Sequence, residues 1–173
     1  YLENIDETLL FLSPAVRPDL KGLDTARNNG TRITSEMEEF FSLCPCKIYA
    51  ITGSDGKTTT TTLCGKFLSS SSRVFVGGNI GTPLLDRLDE MNEHDSLVLE
   101  LSSFQLMHAS RSPEYCAITN VSPNHLDWHT DMEEYVEAKR NLIAFQTAGD
   151  RTVLNADNAY TAAFAETAPG KVM

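Results

Sequence analysis

The sequence predicts an α/β protein: a mostly parallel β-sheet with helices on both faces. Three observations carry that expectation. From Lys47 onward, short and almost continuously apolar stretches alternate with helical ones. Glycine-bearing loops follow the apolar stretches, and the sharpest motifs come just after them. Strands that are apolar on both sides must be covered on both sides, which a parallel sheet between layers of helices provides. In such sheets ligands bind at the carboxyl ends of the strands, where these motifs fall.

The elements follow in order. Thr8 to Leu12 reads as a short buried strand that runs into Ser-Pro-Ala-Val-Arg-Pro, a loop with two prolines. Gly22 to Asn29 is weakly helical and meets Gly30; Arg32 to Thr34 is a second short strand. Ser35-Glu36-Met37-Glu38 has the form of a capping box and opens an amphipathic helix that ends near Leu43. Cys44-Pro45-Cys46 breaks the pattern, so a domain boundary is expected there, with residues 1–45 on one side and 46–173 on the other. Lys47 to Thr52 is then a strand and Lys57 to Leu68 a helix. A serine-rich turn, Ser69 to Ser72, leads to a strand over Arg73 to Val76 that closes on Gly77-Gly78. Pro83 to Met91 is expected to be helical, Ser96 to Leu101 and Cys116 to Val121 to be strands, Met132 to Phe145 a long helix, and Thr152 to Leu154 a last strand.

A chain of 173 residues holds one ordinary domain, or one domain with a piece of another. The formal charge of −10 argues against a nucleic-acid partner, because a phosphate backbone rewards clustered Lys and Arg. A nucleotide asks only for one local positive pocket. No apolar run approaches the ~20 residues of a membrane span. No signal peptide opens the chain, which begins on Tyr1 rather than Met. Four cysteines with one Cys-Pro-Cys and no paired Cys-x-x-Cys read as reduced thiols, and the expected location is the cytoplasm. The expected state is a monomer.

The strongest chemical motif is Gly53-Ser54-Asp55-Gly56-Lys57-Thr58-Thr59, between a strand and a helix. Backbone N–H groups of a glycine loop and the positive end of the following helix make a cradle for phosphate oxygens. Lys57 would reach the β- and γ-phosphates of ATP, and Thr58 would offer its hydroxyl to Mg²⁺. Ile51 stands where the longer form of this loop has its first glycine, so this is the shorter G-x-x-G-K-T variant. Glu100 ends the apolar strand Leu97-Val98-Leu99, and a carboxylate there suits Mg²⁺, which prefers hard oxygen ligands.

Beyond the loop, Gly78-Asn79-Ile80-Gly81, Glu100-Leu-Ser-Ser-Phe-Gln-Leu106, Asn120-Val-Ser-Pro-Asn-His-Leu-Asp127 and Ala138-Lys139 occur in this order. Together with Gly53 to Thr59 they resemble the Mur ligases. The Glu-Leu-Ser-Ser-Phe-Gln-Leu run resembles the D-glutamate-adding branch of that family. The resemblance implies a phosphate-loop NTPase-like central domain, incomplete at Met173. Residues 1–45 would form the C-terminal part of the UDP-binding N-terminal domain, and the amino-acid-binding third domain would be absent. Such a chain is not expected to catalyse ligation alone. The implied reaction is ATP-dependent amide formation that joins D-glutamate to UDP-N-acetylmuramoyl-L-alanine through an acyl phosphate, in peptidoglycan synthesis. The resemblance also implies roles for individual residues. Glu100 would hold a first Mg²⁺ and His125 a second, and Lys139 would be a carboxylated lysine beside the metals. Ser13, Asn79, Ser102 and Gln105 would contact the UDP-sugar substrate, and Asn155 and Asp157 would lie near the nucleotide. Ala15 departs from the glycine usual in the loop after Ser13-Pro14.

Read without the family, these residues leave alternatives open. His125, His129 and Asp127 are equally eligible ligands on chemistry alone, and Lys139 in Glu137-Ala138-Lys139-Arg140 passes for an exposed helical lysine. His94 and His108 match nothing, and Phe104, Leu106 and Met107 read as core. A phosphate-loop NTPase or kinase, a sister ligase for another amino acid, and a non-catalytic nucleotide-binding piece are the rival readings.

Overall fold

The computed structural model describes residues 5–81 and 83–173. Leu97, Val98 and Leu99 are fully buried in strand β5 (Ser96–Glu100), and the sheet is built outward from them. β5 pairs on one side with β4 (Val74–Gly78) and on the other with β3 (Lys47–Thr52). The sheet continues through β6 (Tyr115–Ile118), β7 (Arg151–Leu154) and β8 (Lys171–Val172), in the order β4-β5-β3-β6-β7-β8 with every pair parallel. From β3 the chain first runs to one side of the sheet, then crosses over β3 to reach β6. The carboxyl end of β3 is therefore the switch point at which doubly wound sheets form their crevice.

Side chains alternate across each strand, so the two faces carry different sets of residues. On one face Ala50, Leu97, Leu99, Cys116 and Ile118 share a core with Leu142 and Ile143 of helix α5 (Met132–Ala144). The same core takes Met37 and Phe40 from helix α2 (Glu36–Leu43), so the segment before Cys44 packs into the larger sheet. On the other face helix α3 (Lys57–Leu68) lies on β3, β4 and β5. Strand β1 (Leu9–Leu12) pairs in parallel with β2 (Arg32–Ser35) as a separate two-stranded sheet, joined by helix α1 (Lys21–Asn28). The expected α/β architecture with a parallel, helix-covered sheet is the one observed. Among the described residues no helix is long and apolar enough to cross a membrane.

Several local expectations need correction. Ser35 does cap α2 by accepting from the Glu38 N–H, at 3.2 Å. The Glu38 carboxylate does not reach back; it turns to the N–H and hydroxyl of Ser110, so only half of the capping box forms. Pro83 to Met91 holds a tighter 3-10 turn over Leu85–Glu90 instead of an α-helix. The reason lies in the spacing: Leu85 and Leu88 both pack on the core while Asp86 and Asp89 face solvent, and i,i+3 side chains eclipse in a 3-10 helix. Three short elements escape periodicity altogether: β8, helix α4 (Ser103–Leu106) and helix α6 (Ala159–Phe164).

Gly78 ends β4 with φ 99°, and a Cβ at that position would overlap the Glu100 carbonyl oxygen. Only a glycine lets β4 come close enough for the Asn79 N–H to donate to that oxygen, at 2.7 Å. Gly30 has a similar φ of 90° but meets nothing within 4 Å. Gly30→Ala should thus cost about 1 kcal/mol, the strain of a left-handed alanine alone. Gly78→Ala should cost clearly more, because backbone must also move. Urea unfolding of the two variants checks this, and equal midpoints would contradict it.

Candidate active site

The chain leaves β3 at Thr52, passes through Gly53-Ser54-Asp55-Gly56 and enters α3 at Lys57. Gly53, with φ 151°, passes so close to Thr119 that a Cβ would overlap the threonine hydroxyl. The loop is then tied to the segment after β6. The Ser54 N–H donates to the Asn120 carbonyl (2.9 Å), and the Ser54 hydroxyl lies among Ser122 N–H (2.9 Å), Ser122 O (3.0 Å) and the Tyr135 hydroxyl (2.9 Å). The Asp55 N–H donates to Asn120 Oδ1 at 3.0 Å, and its carbonyl accepts from Thr119 Oγ1 and Asn120 Nδ2. Ser54 and Asp55 thus spend their own donors holding the loop in shape. The first intrahelical bond of α3 runs from Thr60 N–H to Gly56 O, 3.0 Å. The N–H groups of Lys57, Thr58 and Thr59 therefore have no acceptor within the helix and face outward at its positive end, ready for an anion. Lys57 Nζ donates to the Ser54 carbonyl at 3.0 Å, which keeps the ammonium over the loop.

Glu100 is 2% exposed at the carboxyl end of β5. Its Oε2 accepts from the Thr58 hydroxyl (2.8 Å) and its Oε1 from Asn79 Nδ2 (3.1 Å). The side-chain partners of this buried carboxylate are a hydroxyl and an amide, and no cationic side chain bonds it among the described residues. No group of three His, Cys, Asp or Glu side chains converges on a metal position among the described residues. Mg²⁺ still fits the Glu100–Thr58 pair, since it commonly takes one or two protein oxygens and completes its shell with phosphate and water.

Lys139 is 2% exposed, contrary to its appearance in the sequence as a surface lysine. Its Nζ donates to the Gly53 carbonyl at 2.9 Å and sits 4.6 Å from the centroid of the Tyr135 ring. Burial, and after it the neighbouring positive charge of Lys57, pushes the ammonium down to about 7, with Asp55 opposing. The signal in the sequence was the spacing Tyr135, Ala138, Lys139, Leu142, Ile143, which is the inward stripe of α5.

Of the three candidate ligands after β6, burial sets His129 apart. His129 is 2% exposed, with Nδ1 at 3.2 Å from Glu134 Oε2 and Nε2 at 2.9 Å from Ser103 Oγ. Both of its nitrogens are engaged and burial lowers its pKa, so it is a structural histidine. Asp127 is exposed. His125 is also exposed, in the left-handed region at φ 53°, with its ring 5.0 Å from Phe104 and 6.4 Å from Tyr135. His94 is a surface residue, and His108 bonds the Val16 carbonyl at 3.1 Å.

Ser13, Asn79, Ser102 and Gln105 come together. They line one cleft of about 420 Å³ with Pro14, Ala15, Gly78, Phe104 and Trp128. Ser102 and Gln105 form a complete capping box of α4: Ser102 Oγ accepts from Gln105 N–H, and Gln105 Oε1 accepts from Ser102 N–H. Phe104, expected in the core, lines the cleft and packs on Trp128 at 4.7 Å, while Leu106 is buried as expected. Ala15, where the resemblance implies a glycine, needs no glycine here, because His125 is the one described non-glycine residue with positive φ. Asn155 Nδ2 donates to the Thr119 carbonyl and Asp157 N–H to Asn155 Oδ1, each at 3.0 Å. Asn158, which the motifs did not single out, holds Val121 by both its N–H and its carbonyl. A second cleft of about 450 Å³ lies at the other ends of the strands, by Lys47, Arg111 and Glu114, away from these motifs.

The Lys139 environment yields a pH-dependent expectation. Between pH 7 and its ordinary 10.5 the unfolded chain keeps a proton that the folded chain has shed, so stability from this group rises with pH across that window. Lys139→Met should therefore melt higher than the parent at pH 7, by about 5 °C. The gap should close towards pH 10. Calorimetric melting at both pH values checks this, and a gap independent of pH would contradict it.

Comparison with known proteins agrees with this geometry. The Mur ligase middle domain matches residues 51–172. The UDP-N-acetylmuramoylalanine–D-glutamate ligase of Acetivibrio thermocellus is 51% identical over 175 residues, covering 100% of this chain and 38% of that protein. The enzyme of the same description from Clostridium kluyveri is 51% identical over 174 residues, covering 99% of this chain and 38% of its own length. The chain thus spans well under half the length of these relatives. Among solved structures, a MurF ligase from Thermotoga maritima in complex with ADP superposes with TM-score 0.64 at 20% identity, over 95% of this chain and 46% of that one. A UDP-N-acetylmuramate:L-alanyl-gamma-D-glutamyl-meso-diaminopimelate ligase from Neisseria meningitides gives TM-score 0.63 at 13% identity, over 95% of this chain and 58% of that one. The phosphate loop, the buried carboxylate beside it and the match over residues 51–172 place this chain in the Mur ligase family, through its middle domain.

Proposed function

We propose that this chain is the ATP-handling part of a ligase that joins D-glutamate to UDP-N-acetylmuramoyl-L-alanine, in the cytoplasm and as a monomer. The observation that carries the reading is the junction of three motifs at the carboxyl ends of β3, β4 and β5: Thr58 and Asn79 both bond the buried Glu100 carboxylate. The 51% identity to ligases of that description over the whole chain supports the choice of amino acid. Residues 1–45 are the end of the UDP-binding domain and 46–173 part of the central one. The four free thiols are in keeping with the location.

A carboxylate cannot yield an amide until its oxygen becomes a leaving group. Transfer of the γ-phosphoryl group of ATP to that oxygen gives an acyl phosphate and ADP. The amine nitrogen then attacks the carbonyl carbon, loses a proton, and phosphate departs with the C–O bonding pair. The chain's task is to align two anions that repel each other. The outward N–H groups of Lys57, Thr58 and Thr59 and the Lys57 ammonium hold the phosphates of ATP, with Gly53, Ser54, Asp55 and Gly56 shaping the loop. Ser13, Asn79, Ser102 and Gln105 hold the UDP-sugar substrate in the cleft. Bound at Glu100 and Thr58, with His125 and a carboxylated Lys139 at a second position, Mg²⁺ would neutralise phosphate charge. A lysine held near pH 7 has the free amine that carboxylation by CO₂ requires.

Calorimetric titration with Mg²⁺-ATP tests the reading. The chain should bind, and Lys57→Ala should weaken binding by at least about tenfold, or 1.4 kcal/mol. A folded chain that binds no nucleotide, or binds it equally well without Lys57, would overturn it.

A further inference from the structure

Arg17, in the Ser-Pro-Ala-Val-Arg-Pro loop, was assigned no role above, yet its guanidinium makes five hydrogen bonds. Nε donates to Asp19 Oδ1 (3.0 Å). Nη1 donates to the Trp128 carbonyl (3.1 Å) and Glu134 Oε2 (3.2 Å). Nη2 donates to Asp19 Oδ2 (3.0 Å) and Glu134 Oε1 (2.7 Å). These five bonds match the five N–H donors that an arginine has. Isolated surface ion pairs contribute little, but this one differs in kind. Its Arg17 and Glu134 side chains are only 22% and 21% exposed, it is bidentate, and 117 residues separate the partners.

The bonding continues on both sides. Glu134 Oε2 also accepts from the Thr130 N–H (2.8 Å) and contacts His129 Nδ1 (3.2 Å), and His129 Nε2 meets Ser103 Oγ (2.9 Å). The guanidinium lies 5.3 Å from the Trp128 ring centroid, and Trp128 Nε1 donates to the Ala15 carbonyl (3.4 Å). Pro14, Ala15 and Trp128 line the cleft that also holds Ser13, Asn79, Ser102 and Gln105. The chain Arg17–Glu134–His129–Ser103 therefore connects the loop forming one wall of the cleft to the residue beside Ser102 on another.

We propose that Arg17 is a positioning residue that clamps the Ser13–Pro18 loop and Trp128 onto the amino-terminal turn of α5, so that the cleft's walls stay in register with the phosphate loop. The inference rests on the proposed function only for what the cleft holds. A lysine keeps the charge but lacks the planar fork, so Arg17→Lys should behave as a loss rather than a conservative change.

The test uses Arg17→Ala, Arg17→Lys and Glu134→Gln, with two readouts. Trp128 is the only tryptophan, so its emission and its quenching by acrylamide report this wall alone. All three variants should expose Trp128 to quencher, and should weaken binding of UDP-N-acetylmuramoyl-L-alanine by about tenfold while Mg²⁺-ATP binding stays within about twofold. The double variant Arg17→Ala/Glu134→Gln should lose no more than either single one. Unchanged Trp128 quenching, or equal losses for both ligands, would overturn the proposal. If Arg17→Ala does not fold, the lysine variant decides by the same criteria. A parent chain that ignores the UDP-sugar would count against the assigned function, while the tryptophan readout would still decide the clamp.

Discussion

A carboxylate buried at the end of strand β5 is the constraint around which this molecule is arranged. Removing Glu100 from water is costly unless donors meet its oxygens. One donor comes from Thr58, in the first turn of α3, and the other from Asn79, just past β4. Meeting them fixes where α3 begins relative to β5 and how closely β4 ends beside it. The second requirement is what makes Gly78 necessary, since the backbone of β4 must come against the Glu100 carbonyl. Three separate motifs are thus one unit, brought together by a parallel sheet that delivers strand ends to the same edge.

Positive charge is arranged around this unit with the same economy. Lys57 stays over the loop by bonding the Ser54 carbonyl, and Lys139 approaches the loop from α5 by bonding the Gly53 carbonyl. Burial first, and then the positive charge of Lys57, pushes the Lys139 ammonium down. The Ser54 hydroxyl bonds the Tyr135 hydroxyl and the backbone of Ser122, so the loop takes its shape from the protein's own hydrogen bonds. A site shaped in advance keeps ordering cost out of the binding step.

Much of this was legible in the residues. The strand Lys47–Thr52 and the helix Lys57–Leu68 have the predicted limits, because apolar strand, glycine loop and helix follow one another without ambiguity. Ser13, Asn79, Ser102 and Gln105, assigned to the UDP-sugar by family resemblance, do line one cleft. What failed to show were distant partners that no motif joins. The capping box at Ser35 looked complete because nothing local reveals that Glu38 prefers Ser110. Lys139 looked exposed because one helix turn of charged neighbours outweighs, to the eye, a stripe of five residues spread over nine positions. His129 and His125 carry the same chemistry, and only burial tells them apart. Arg17 and Glu134, 117 residues apart, left no local trace.

The central claim is that Glu100 and Thr58 hold the divalent cation of a bound nucleotide. Electron paramagnetic resonance of Mn²⁺, replacing Mg²⁺ in a titration with ATP, addresses it directly. The parent chain should convert the aqueous Mn²⁺ signal into that of an immobilised ternary complex, and Glu100→Gln should lose that conversion under the same conditions. A ternary signal that survives Glu100→Gln unchanged would contradict the account and put the cation elsewhere.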